Sequence, residues 1–249
     1  DGDELAGGLG SINDANTVHL GFNGDYLTSA GDNQRLSYAY DYDAFSFVLS
    51  MEQGPTGANG RVLDGDDDMT WSVGAGYDWA FGGGVAMFGL AYTYSDNGSI
   101  EFEASDANLV FQDDVYILSG EAEAWGISAA VELDGGFSGG LTYVQYDFKD
   151  FKDGDIDYLA LGLAYAWEEF AIGVNWGEYD GGGGDLDLSG WGLAMAYDLG
   201  GGLEVQAGYG SSDATIKGLS GTFEDANGNV TGSYDNGKVE SNFDQWSLG

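Results

Sequence analysis

The sequence predicts an all-β fold, an antiparallel up-and-down β-barrel that crosses a membrane, and three observations carry that reading. Large apolar residues alternate with small ones at a period of two. The connections between the alternating runs are short and long by turns. The few basic residues stay away from the middles of those runs.

The alternation is clearest from residue 159, where Leu159, Leu161, Leu163, Tyr165 and Trp167 share one face and Ala160, Gly162, Ala164 and Ala166 the other. It recurs where Trp71, Val73, Ala75, Tyr77 and Trp79 alternate with Ser72, Gly74, Gly76 and Asp78. Phe170, Ile172, Val174 and Trp176 alternate in the same way with Ala171, Gly173 and Asn175. A strand projects successive side chains to opposite faces, so each run is an amphipathic strand. One Pro and 45 Gly, without apolar spacing of three or four residues, argue against helices. About eleven strands are predicted, near residues 35 to 42, 44 to 53, 69 to 79, 85 to 95, 122 to 133, 137 to 148, 156 to 167, 170 to 179, 188 to 199, 203 to 211 and 242 to 249. Most have the roughly 9 to 11 residues that a tilted strand needs to cross hydrocarbon.

Tight turns are predicted at Asp43, Phe81 to Gly84, Asp134 to Gly136, Glu168 with Glu169, and Gly200 to Gly202, each followed by a longer polar segment. An up-and-down barrel in a membrane sorts its connections this way, short on one side and long on the other. A soluble sandwich has no reason to do so.

Charge placement agrees, because Lys or Arg facing lipid at the bilayer midplane costs about 2 to 4 kcal/mol. Arg61, Lys149, Lys152, Lys217 and Lys238 are expected in long loops, with Arg35 at a strand end. The strand carboxylates Asp78, Glu132, Asp157, Asp198 and Glu204 fall on the small-residue face or near strand ends, so the inside is expected to be polar. Tyr40, Tyr42, Tyr77, Trp79, Trp167, Trp191 and Tyr197 sit towards strand ends, as the aromatic girdles of a membrane barrel require. Between Phe137 and Phe148 the bulky phase changes, from Leu141 and Tyr143 to Val144, Tyr146 and Phe148. This suggests a bulge or a face packed on another subunit.

Composition excludes several function classes. Six Lys plus Arg against 43 Asp plus Glu leave a formal charge of -37, which repels nucleic acid and offers no basic patch for phosphate. Disordered acidic chains lack aromatic residues, whereas this one has seven Trp, 16 Tyr and 13 Phe. The absence of Cys removes disulfides, thiolate zinc sites and thiol nucleophiles. No run reaches the roughly 18 apolar residues of a membrane helix, the nearest being Leu159 to Trp167. The chain opens on Asp1, Gly2 and Asp3 without an apolar leader, so an export signal is expected to have been removed or to lie upstream.

Two candidate chemistries remain. The acidic groups Asp64, Asp66, Asp67 and Asp68, and Asp150, Asp153 and Asp155, have the oxygen ligands calcium takes, but neither follows an EF-hand spacing. Gly181 to Leu188 matches a calcium-binding β-roll repeat only once, where a solenoid needs several. Solvated loops are the favoured reading of these acids, and a secreted acidic calcium-binding β-protein is kept as an alternative. A barrel hydrolase is the other alternative. It would have to use His19, the single His, which carries no catalytic signature around it.

The stretch Trp191 to Asp198, WGLAMAYD followed by LGGG, and the stretch from Gly24, GDYLTSAGDNQRLSYAYDYDAFSFVLSMEQG, resemble the general-diffusion porins of purple non-sulphur bacteria and their alphaproteobacterial relatives. The first is similar to their next-to-last periplasmic hairpin, the second to the exit from their third loop and the hairpin after it. The resemblance implies an outer-membrane homotrimer of barrels of roughly 16 strands, filled with water, passing small hydrophilic solutes and ions, with no cofactor and no reaction centre. Residues 1 to 34 would be the remainder of an inward-folded constriction loop, with roughly the first five strands outside this sequence. Family members finish on an aromatic residue, whereas this chain stops at Leu248 and Gly249, so a shortened last strand is expected. Asp1, Asp3, Glu4, Asp14 and Asp25 are then the candidates for the acidic side of the constriction, and a preference for cations is expected. The plain alternative is that they are solvated loop acids.

Overall fold

The computed structural model of the chain describes residues 34–53, 56–57, 61–62, 69–102, 115–149, 154–181, 186–224 and 230–248. Its strands, in chain order, are β1 (Gln34–Tyr42), β2 (Phe45–Gln53), β3 (Thr56–Gly57), β4 (Arg61–Val62), β5 (Met69–Phe81), β6 (Gly84–Phe102) and β7 (Val115–Leu133). There follow β8 (Phe137–Phe148), β9 (Asp155–Trp167), β10 (Phe170–Gly181), β11 (Leu186–Gly200), β12 (Leu203–Glu224) and β13 (Val230–Leu248). The short β3 and β4 pair with each other. The other strands form one 11-stranded antiparallel sheet in chain order, with β1 and β13 at its ends.

Every strand expected from alternation is present. The tight turns fall where Gly or an acidic residue accepts a left-handed backbone, at Asp43 (φ 55), Gly83 (φ 127), Gly136 (φ 83), Glu168 (φ 50) and Gly200 to Gly202. At Gly136 the turn also needs the missing side chain, since a Cβ there would collide with the carbonyl oxygen of Ala166, whose N–H donates to the Gly136 carbonyl at 2.8 Å.

Two expectations are corrected. Strands β7, β12 and β13 run further than expected at the long-loop end: β7 starts at Val115, β12 continues to Glu224 and β13 starts at Val230. Lys217 and Lys238 therefore lie on strands and not in a loop. The extensions of β12 and β13 are polar and Gly-rich, without the apolar face that marks a strand in sequence, yet a hairpin already held at its base keeps pairing its backbone. No bulge interrupts β8, which keeps a continuous register with both β7 and β9. Register shifts occur elsewhere, between Ser95 and Gly98, between Asp198 and Gly200, and in the upper β12–β13 ladder.

Candidate functional site

The two faces of the sheet differ throughout. The bulky face exposes Tyr38, Tyr40, Phe47, Trp71, Val73, Leu90, Ile127, Leu141, Leu161, Leu163, Val174, Met195 and Val205. So continuous an apolar surface far exceeds the isolated patches that soluble monomers tolerate and marks a membrane or protein contact. It is bordered by aromatic residues at both ends. At the turn end Phe137 lies 5.4 Å from Tyr165, Trp167 stacks on Phe170 at 4.9 Å, and Phe170 lies 5.7 Å from Tyr197, ring centre to ring centre. At the loop end the contacts are Trp71 with Tyr92 (5.3 Å), Trp125 with Tyr143 (5.5 Å), Trp191 with Tyr209 (5.2 Å) and Tyr209 with Trp246 (4.5 Å).

Just loopward of this border the bulky face turns acidic. On β6 to β13 the residues Asp96, Glu123, Asp147, Asp157, Glu178, Asp187, Asp213 and Asp244 each stand two or four positions loopward of a large apolar or aromatic side chain on the same face. Girdle hydroxyls hold several of them: Tyr94 Oη donates to Asp96 (2.8 Å), Tyr143 Oη to Asp157 (2.6 Å) and Tyr209 Oη to Asp244 (2.8 Å). Lys149, beyond β8, donates to Asp147 and lies 3.6 Å from Glu123. The Asp147 hydrogen bond holds its ammonium pKa above the ordinary lysine value, reinforced by both carboxylate charges.

The opposite face is lined by small and hydroxyl-bearing residues. Ladder neighbours place Ser37, Ser50, Ser72 and Thr93 in one row. Thr93 Oγ1 donates to Ser72 Oγ at 2.9 Å, and Thr70 and Ser95 share a buried bond of 2.6 Å. Alternation also puts Asp41, Glu52, Asp78, Glu132, Asp198 and Glu204 on this face, with Arg35 beside Glu52 as its one base among the described residues.

Of the sequence-predicted sites, Asp1, Asp3, Glu4, Asp14 and Asp25 lie outside the described residues. So do His19 and the calcium candidates Asp64, Asp66, Asp67, Asp68, Asp150 and Asp153. Asp155 is described, exposed at the start of β9 and paired in the ladder with Asp147. Among the described residues no group of three metal-ligating side chains comes together. Sequence reasoning missed the acidic border and its tyrosine donors. Its trace was present in the DIDY of 155 to 158, where carboxylates occupy the phase that Leu159 to Trp167 continue with apolar residues.

A two-faced antiparallel meander with acid on the small-residue side is what a family match explains: the model for Gram-negative porins matches residues 2–217. The chain belongs to that family. No curated protein matches it. Among solved structures, this porin is similar to a porin refined at 1.8 Å resolution, with 23% identity, a TM-score of 0.52, and 80% of this chain and 66% of that one covered. It is also similar to outer-membrane-expressed OmpT of Vibrio cholerae, with 18% identity, a TM-score of 0.50, and 92% and 69% covered. In-vitro-folded OmpT of the same organism is matched at 17% identity and a TM-score of 0.48 over 86% of this chain, which spans 62% of that structure's length. At these identities the likeness concerns the fold alone.

Proposed function

We propose that this porin forms a water-filled barrel of roughly 16 strands in the outer membrane of a Gram-negative bacterium, assembles as a homotrimer, and passes small hydrophilic solutes and ions by passive diffusion, with a preference for cations. The observation that carries the reading is the opposition of faces on the same strands. A surface of Leu, Val, Trp and Tyr suits lipid, while Gly, Ala, Ser and Thr on the other side leave room for water. Passive diffusion needs width and field, not a reaction centre, so the protein is proposed to be no enzyme and to need no cofactor. Residues 1 to 34 are proposed to narrow the lumen, with Asp1, Asp3, Glu4, Asp14 and Asp25 on the acidic side of the constriction. Calcium at the loop acids, Asp155 included, would be weak and peripheral.

The test is a planar bilayer between unequal KCl solutions. Stepwise conductance with a reversal potential of cation-selective sign supports the reading, and openings in threes support the trimer. Folded, inserted protein that conducts nothing would overturn it.

A further inference from the structure

Two loop-end hairpins have an interrupted ladder, and the same tripeptide stands at an interruption in each. Between β6 and β7 the register is continuous up to the pair of Ser95 with Ala122 and resumes at Gly98 with Gly120, so Asp96 and Asn97 face the single residue Glu121. In the upper part of β12 and β13, Leu219 pairs with Gly237 and Gly221 with Tyr234, so Asp235 and Asn236 face the single residue Ser220. The sequence reads Asp-Asn-Gly at both places, 96 to 98 and 235 to 237. Such a bulge leaves its extra residue outside the ladder and disrupts the pairing around it.

The first bulge is held at its near end. The Asp96 carboxylate accepts from the Met69 N–H at 3.1 Å and from Tyr94 Oη at 2.8 Å, which leaves Asn97 as the residue without a fixed place in the ladder. The distortion reaches the partner strand, where Gly120 takes a φ of 149°, in the range that favours glycine. Both bulges lie loopward of the aromatic border, Asn97 three residues past Tyr94 and Asn236 ten residues past Trp246. Asparagine before glycine is the asparagine most prone to lose its amide, because no side chain hinders the following backbone nitrogen from reaching the amide carbon. A regular ladder suppresses that reaction by keeping the chain extended and its N–H groups engaged across the strands, and at a bulge this hold is broken.

We propose that Asn97 and Asn236 are sites of spontaneous deamidation in the folded porin, exposed to the reaction by the bulges they occupy. At each, the backbone nitrogen of the following Gly attacks the carbonyl carbon of the Asn side-chain amide. A C–N bond forms, the bond from that carbon to the amide nitrogen breaks, and ammonia leaves with the proton of the glycine N–H. The cyclic succinimide that remains takes up one water, which opens it at either carbonyl to give aspartate or isoaspartate. The reaction consumes only water. Each event replaces a neutral amide by a carboxylate, and isoaspartate also adds a carbon to the main chain, so the hairpin above it falls out of step with its base. Below Ser95 on β6 and Ile216 on β12 the register is continuous down to the turns or interrupted only at Asp198 and Gly200, so the body of the sheet is unaffected. Asparagine before glycine also occurs at 23, 59 and 227, outside the described residues.

The test is peptide mass spectrometry on the porin folded in lipid and on the same chain unfolded in guanidinium chloride, both incubated at mildly alkaline pH. Either product adds about one dalton to its peptide, and the isoaspartyl and aspartyl forms separate on elution. Asn97 and Asn236 are expected to convert in the folded porin within about threefold of their rates in the unfolded chain. Asp180→Asn supplies the contrast, because it sets the same two-residue step in an unbroken register: residue 180 pairs with Asp157 and Asp187, and Gly181 with Ile156 and Leu186. There, folding should slow conversion about tenfold or more, since the ladder must open first. Equally fast conversion at that site would deny the bulges their role and overturn the proposal. With or without that variant, a slowing of about tenfold or more at Asn97 and Asn236 in the folded parent would overturn it as well.

Discussion

Replacing Leu163 by Arg places a charge at the middle of the surface assigned to lipid. On β9 the apolar stretch of the bulky face runs from Leu159 to Trp167, so Leu163 lies four residues from either border, about 13 Å along the strand. Arg at the midplane of such a barrel costs about 2 to 4 kcal/mol, falling to about 0 to 1 near the interfaces. Leu133 supplies the control, as the last residue of β7 at the turn end of the same face. The two leucines are similarly exposed, 51% for Leu163 and 41% for Leu133, so they lose similar protein packing and differ chiefly in depth. Leu163→Arg is therefore expected to lose about 2 kcal/mol more than Leu133→Arg in urea titrations of protein refolded into lipid vesicles. Equal costs, or a neutral Leu163→Arg, would mean that water or protein covers this face, and the lipid assignment would fail.

Three further outcomes follow from the same geometry. Gly136→Ala faces both a positive φ and the Ala166 carbonyl, so it should lose well over about 1 kcal/mol, while Gly135→Ala, with open space around its Cβ, should be close to neutral by the same titration. Thr70→Val strands the buried Ser95 hydroxyl and should cost about 1 to 3 kcal/mol, and adding Ser95→Ala should recover part of it. A double-mutant cycle without coupling would deny the 2.6 Å bond its role. A Cβ on Gly74 would meet only the Leu90 carbonyl, at 3.7 Å, so Gly74→Trp should fold, project its ring from the small-residue face and lower the conductance per step. Unchanged conductance would place the water path elsewhere.

How much was legible in the sequence depended on what each strand packs against. Where one face is continuously apolar and the other carries small side chains, as at Leu159 to Trp167, period-two alternation identified the strand and its ends. Alternation failed in two physically distinct ways. In Ser211 to Glu224 and Val230 to Asn242 the strands carry no apolar face, since ladder hydrogen bonds alone extend the hairpin and leave no mark in the hydrophobic pattern. In β8, Val144, Tyr146 and Phe148 are apolar in the opposite phase from Leu141 and Tyr143. The sequence reading offered a bulge or a face packed on another subunit, and the continuous register of the strand removes the bulge.

The ladder also relates the sheet to the plane of a bilayer. One register row runs from Val73 through Tyr92, Trp125, Gln145, Asp157, Asp180, Asp187 and Thr215 to Glu240. The loop-end border stands two residues loopward of that row at Trp71 and six residues turnward of it at Trp246. Along the ladder the border therefore descends about eight residues in about eight strand steps. At about 3.3 Å per residue and 4.8 Å per step, a border that is level in a membrane requires strands tilted by about 35°. The turns descend in the same sense, from Tyr42 with Phe45 near the Phe88 row to Gly200 with Leu203 well below it. Because both borders fall together, the apolar stretch keeps its height while the residues that compose it change. A soluble sheet has no level surface to respect and no reason for such a drift, whereas membrane barrels tilt their strands by about 35 to 45°. The order of aromatic residues along the nine strands β5 to β13 thus gives a common border that no single strand contains, and the tilt follows from it without reference to any relative.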